Sequence, residues 1–195
     1  MKQFAMRLFL LTLACLVAIT ATTSAAKKSL DEQRQEIREM SKVTLSKLYE
    51  KYPSAQRVIG ECYGYATLSN SNTNIILFSS SRGRGLAVNN RTGEEVFMKM
   101  KEVGIGLGAG AREFDLVFVF DDEDAWNRFL TGKNKFGGEV SATATDGNAG
   151  GAVEGATLAS KGIWIYQMTT KGLSLEATLN STSYYKDKKL NKKSE

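Results

Sequence analysis

Apolar and polar residues alternate most regularly in mid-chain. Phe114, Leu116, Phe118 and Phe120 fall on one side of an extended segment, and Asp115, Val117 and Val119 on the other. A period of two predicts a strand with one strongly apolar face. Just before it, Gly104, Gly106, Gly108 and Gly110 recur at the same period, so one face there is bare backbone. Four interior glycines cost about 0.5 to 1 kcal/mol each in chain entropy. That cost predicts a compensating element pressed close against the bare face. The four are candidate structural glycines at the centre of an antiparallel sheet.

Around this centre the pattern gives helices first and strands after. Ser29 followed by Glu32 is a capping box, and Pro53 stops the run, so a helix is expected over Ser29 to Tyr52. Its loose apolar side holds Leu30, Ile37, Met40, Val43, Leu48 and Tyr52. Such a helix either docks on the domain or lies on a membrane or partner, and its acidic residues weaken the membrane version. A short second helix turning into a strand is read over Ser54 to Leu68, with Cys62 and Ala66 as small packing residues. Ile75 to Phe78 reads as a short strand. Ser81 to Val88 and Glu95 to Met100 form a hairpin about the turn Asn89 to Gly93. In "DDEDAWNRFLTG", Asp121 or Asp122 caps a helix whose apolar face is Trp126, Phe129 and Leu130, and Gly132 ends it. Strands are expected again at Val140 to Thr145, Ile163 to Met168 and Leu173 to Leu179. Trp164, Tyr166 and Met168 share one face as core or interface anchors. The tail "YYKDKKLNKKSE", with five lysines, is expected to fray.

Composition narrows the chemistry. Of the 195 residues, the first stretch has a signal-peptide pattern. Lys2 and Arg7 precede the apolar run Leu8 to Ile19, and small residues offer cleavage after Ala25 or Ala26. A competing reading, lipoprotein processing at Cys15, would leave a very short apolar region. Export would remove two positive charges from a formal +5, leaving a weakly basic domain. Such a balance permits attraction to an anionic surface without arguing for nucleic acid. Cys62 would then be unpaired in an oxidising compartment, either packed in the fold or an unusual reactive thiol. The chain has no histidine, which removes histidine nucleophile activation, histidine general-base work and histidine-containing zinc sites.

Candidate catalytic patterns fail on context. Gly106, Gly108 and Ala111 satisfy a loose dinucleotide fingerprint, but a strand of Phe and Val follows where a helix is required. The run Asp121 to Asp124 lacks the glycine and the ligand spacing of a calcium loop. Asp115, Glu139, Asp146, Glu154 and Glu176 are scattered, with no spacing that recommends acid/base work. No metal site, cofactor or catalytic residue is expected. The sequons at Asn90 and Asn180 matter only if the exporting cell glycosylates.

The blocks "YPSAQRVIGECYGYATLS", "SRGRGLAVNNRTGEEVFMKMKEVGIGLGAGAREFDLVFVFDDEDAWNRF", "FGGEVSATA" and "TTKGLSLEATL", in that order, resemble the SYLF domain family, in particular its exported bacterial branch. The similarity covers roughly Tyr52 to Asp187. The resemblance implies an α+β domain with N-terminal helices and an antiparallel, barrel-like β-sheet with one inserted helix. It also implies binding to phospholipid or phosphoinositide membranes without known catalysis, and actin binding in some eukaryotic members. The family's aromatic "yYG" ending gives way here to a lysine-rich tail.

The expected organisation is a signal peptide at 1–26, an amphipathic helix at 27–52, a SYLF-like domain at 53–187 and a tail at 188–195. The expected function is non-enzymatic binding of a phospholipid or membrane surface in the periplasm or outside the cell. Headgroups would be attracted by Arg82, Arg84, Lys99, Lys101, Lys188 and Lys189, with a few apolar side chains inserted. The alternative is an envelope scaffold that holds a protein partner.

Overall fold

The computed structural model describes residues 28–70, 82–102, 114–132, 154–169 and 182–192. Among them are three helices and seven strands: α1 (Leu30–Lys51), α2 (Ala55–Glu61), β1 (Gly64–Ser69), β2 (Arg82–Asn89), β3 (Glu95–Glu102), β4 (Phe114–Phe120), α3 (Glu123–Leu130), β5 (Ala156–Ser160), β6 (Ile163–Thr169) and β7 (Thr182–Lys186). The strands form one antiparallel sheet in the order β5-β6-β4-β1-β2-β3-β7. The α+β class and the curled, half-barrel sheet are those expected from the sequence. The candidate glycines Gly104, Gly106, Gly108 and Gly110 lie outside the described residues. So do the strands expected at Ile75 to Phe78, Val140 to Thr145 and Leu173 to Leu179, and the N-terminal 26 residues.

Register sorts the side chains into two packed layers. On one face, Ala66, Leu68, Met98, Met100, Leu116, Phe118 and Phe120 meet Trp126 and Phe129 of α3 and Tyr184 of β7. The ring of Phe129 lies 4.8 Å from those of Phe118 and Phe120. Burying a phenylalanine this completely stabilises by about 1.5 to 3 kcal/mol. On the other face, Val117, Val119, Trp164 and Tyr166 pack beneath Leu48, Ala55 and Ile59, while Leu86 and Phe97 pack beneath Ile37. The strand β4 is therefore buried on both faces, where its alternation predicted one strongly apolar side. The second face is covered because α1 and α2 pack on Val117 and Val119, and the Asp115 carboxylate carried inward with them is met by Lys47 of α1 at 2.9 Å.

The helices end where local chemistry stops them. At the start of α1 the reciprocal bonds of the capping box are formed: Ser29 Oγ accepts from Glu32 N at 3.1 Å, and Glu32 Oε2 accepts from Ser29 N at 2.7 Å. The buried side of α1 is Ile37, Ser41, Thr44 and Leu48, so the helix docks on the sheet. Asp122, rather than Asp121, caps α3, accepting from Ala125 N at 2.8 Å. Asp121 instead accepts the indole N–H of Trp164 at 2.9 Å.

Two strands escaped the sequence reading. β5 follows directly on the small-residue region, and β7 lies in the tail expected to fray. That expectation is corrected over 182–192: β7 pairs with β3, and the turn after it is tied down, with Leu190 only 2% exposed. The hydrophobic contact that fixes this turn depends on one leucine among lysines, too sparse a signal for periodicity to register.

Candidate functional site

The β2–β3 hairpin sets the charge pattern. Gly83, Gly85 and Ala87 of β2 face the aromatic core, opposite Met100, Met98 and Val96. Leu86 and Val88 pack on the α1 side and Arg84 reaches Gln33 of α1, and register sets the position of Arg82 opposite Lys101 and that of Arg84 opposite Lys99. Like charges directly opposite one another destabilise a sheet. Two successive such pairs therefore call for counter-charge. On the next strand, β7, Tyr185 lies opposite Lys99 and Ser183 opposite Lys101.

The fold supplies part of that counter-charge. Lys99 Nζ sits 3.0 Å from Oδ2 of Asp187, and Arg84 donates to the Gln33 side chain at 3.4 Å. Burial by itself would raise the Asp187 pKa. The bond from Lys99 and those from the backbone N–H groups of Lys189 and Leu190 outweigh it, and the carboxyl is held below its ordinary range. The same carboxylate thus caps the C-terminal turn. Asn191 completes the attachment, bonding both the N–H and the carbonyl of Phe97 at 2.9 and 2.8 Å. Arg34 of α1 closes over the turn by donating to the carbonyls of Leu190 and Lys192.

The six candidate basic residues accordingly lie along β2, β3 and the turn after β7, at the β7 end of the described sheet. Lys99 and Arg84 are half-buried and engaged, whereas Lys101 is exposed. Lys188 and Lys189 are exposed on the turn that Asp187 holds against β3. Arg82 stands at the register position opposite Lys101. Sequence reasoning missed Tyr185, Asp187, Arg34 and Asn191. A period-two signal was present in "TSYYK", where Thr182 and Tyr184 are buried and Ser183 and Tyr185 exposed.

Charge is distributed unevenly across the sheet. Over 186–192, Lys186, Lys188, Lys189 and Lys192 face Asp187 alone, whereas the end of β4 runs into Asp121, Asp122, Glu123 and Asp124. Among the described residues no group of three metal-ligating side chains comes together, and no helix is long and apolar enough to cross a membrane. Cys62 is half-buried, its Sγ 3.2 Å from the Gly64 carbonyl and 3.3 Å from that of Ile59. Burial pushes this thiol up to about 11, so it is a packing group rather than a nucleophile. Asn90, the first sequon asparagine, spends its Nδ2 on the carbonyls of Ile59 and Cys62 at 2.7 and 3.2 Å.

The sheet carries helices on both faces and a basic segment at its β2, β3 and β7 end. Residues 101–194 match the family model described as Las17-binding protein actin regulator, Ysc84, the SYLF domain expected from the sequence. The Beta cell expansion factor A of Aeromonas veronii is 32% identical over 166 residues, which cover 84% of this chain and 60% of that protein. The chain thus spans about 60% of the length of the curated relative it matches.

Proposed function

We propose that the protein is a non-enzymatic, exported domain that docks on anionic phospholipid surfaces through the corner formed by β2, β3, β7 and the C-terminal turn. The observation that carries this reading is the stacking of like-charged cross-strand positions, Arg84 on Lys99 and Arg82 on Lys101, beside Lys188 and Lys189. An array of anionic headgroups is attracted to so dense a set of cationic positions. Each basic residue near such a surface contributes about 1 kcal/mol at best. Several must therefore act together, and binding must weaken as salt rises. The signal-like pattern of the first 26 residues favours action in the envelope or beyond it.

Co-sedimentation of the protein with vesicles tests this. Binding to phosphatidylglycerol-containing vesicles at low salt, weakened at high salt and weak for purely zwitterionic vesicles, is the expected result. Absence of binding at low salt refutes it. In that case the second reading stands, a protein-interaction module, which the family's description as a Las17-binding actin regulator favours.

A further inference from the structure

We infer that Tyr185 is the side chain this corner inserts into the interfacial layer of an anionic phospholipid bilayer, with β7 the strand nearest the membrane. The inference rests on the proposed lipid-docking reading and adds to it the apolar anchor and the orientation. Tyr185 is 42% exposed, and among the described residues only Val43 is a large hydrophobic left more open. Val43 stands on α1 beside Lys42, away from the basic corner, whereas Tyr185 lies opposite Lys99 and diagonal to Lys101. Diagonal neighbours on one sheet face remain within reach of long side chains. An aromatic ring with a polar tip, surrounded by lysines, suits the headgroup level of a bilayer, where one end is apolar and the other wet.

Two structural facts direct insertion to this residue. First, the apolar side of α1 faces the sheet: Ile37 and Leu48 are fully buried against it and Val43 stands exposed by itself, so the helix offers a membrane no continuous apolar stripe. Second, among the described strands β7 ends the order, and it carries Lys186, with Lys188 and Lys189 just beyond it. A second copy pairing along that edge would add a second set of lysines to it. Charged edge residues of this kind disfavour strand-to-strand association. The charge around Tyr185 therefore selects an anionic occupant over another copy of the chain.

The test uses the full-length protein as recovered from its producing cells, in the variant Tyr185→Trp. Trp126 and Trp164 are 3% and 9% exposed, so a tryptophan at 185 reports its surroundings against a quiet background. Adding phosphatidylglycerol vesicles should shift its emission to the blue, and acyl-brominated lipid should quench it. Asn127→Trp on α3 should do neither. Tyr185→Ala should weaken vesicle binding about fivefold, a loss of buried apolar area that leaves the salt dependence unchanged. If Tyr185→Trp binds vesicles as the unmodified protein does but keeps a water-like emission, the inference fails while the lipid reading stands. If the unmodified protein does not bind vesicles, both fail. A blue shift given by a soluble acidic peptide but not by vesicles likewise overturns both and assigns the corner to a protein partner.

Discussion

Lys99 and Asp187 are joined at 3.0 Å across the β3–β7 seam, and this contact links the basic hairpin face to the C-terminal turn. Asp187 is almost wholly buried, caps the turn through Lys189 N and Leu190 N, and balances one of the four stacked cations. One carboxylate therefore sets the position of Lys188 and Lys189 and holds Lys99.

The stability due to Asp187 should depend on acid. Its folded pKa lies below the ordinary carboxylate value of about 3.9. The contribution is accordingly complete above that value and is lost as pH falls through the lower folded value. Because Lys99 is partly exposed, the ion pair is screened, and the pair and cap together are worth roughly 1 to 2 kcal/mol. The protection of the Leu190 amide against hydrogen exchange, relative to the intrinsic rate at the same pH, should fall below about pH 4. Asp187→Asn, which keeps a capping oxygen, should abolish this acid dependence while the turn stays docked at neutral pH.

The same substitution should also strengthen vesicle binding at low salt, because it frees Lys99 for a headgroup. The gain is expected at about two- to fivefold, one exposed charge at the surface. A weaker or unchanged affinity, measured by co-sedimentation, would show that Lys99 faces no headgroup.

Gly85 should tolerate no side chain. A Cβ there would run into the Thr67 carbonyl and come within 2.7 Å of Leu68 Cγ, both on the neighbouring strand β1. Gly85→Ala must push β1 and β2 apart in a close-packed core, at a cost of about 1 to 3 kcal/mol or more. Gly60, with open space around it, is the last residue but one of α2, so Gly60→Ala should be neutral or stabilising. Chemical denaturation of the two variants checks the contrast.

Cys62 should be slow to react. With its thiol raised to about 11 by burial, little thiolate exists at pH 8. Alkylation should proceed at the rate of local or global opening and become fast only in denaturant. Rapid native labelling at pH 8 would contradict the packing role.

The parts of this fold that could be read from the chain are those where period and capping agree. The capping box at Ser29 and Glu32, the alternation of Phe114 to Phe120 and the turn ended by Gly93 all predict what forms. Asn89 completes that turn by accepting from Arg91 N and Thr92 N. Illegible were features fixed by contacts far apart in sequence. Nothing near Asp115 announces Lys47, 68 residues away, so its burial had no local sign. Likewise the docking of Leu190 needs Arg34, 156 residues earlier, and looked like a solvated lysine tail. Of the candidate site, the charges were legible as residue types. Their stacking into cross-strand pairs was not, because register depends on how β2, β3 and β7 align.

Location of charge, as distinct from its amount, is the account's central claim, and one comparison of vesicle affinities tests it most directly. Lys101, Lys188 and Lys189 are exposed and can be reversed to glutamate together without breaking an ion pair seen among the described residues. A control reverses Lys42, Arg57 and Lys161, also on the surface, for the same change in net charge. The account predicts that the first triple variant loses at least about a hundredfold in affinity for phosphatidylglycerol vesicles at low salt, and the control under about tenfold. Equal losses in the two proteins would mean that net charge alone drives binding and would contradict the assignment of the corner.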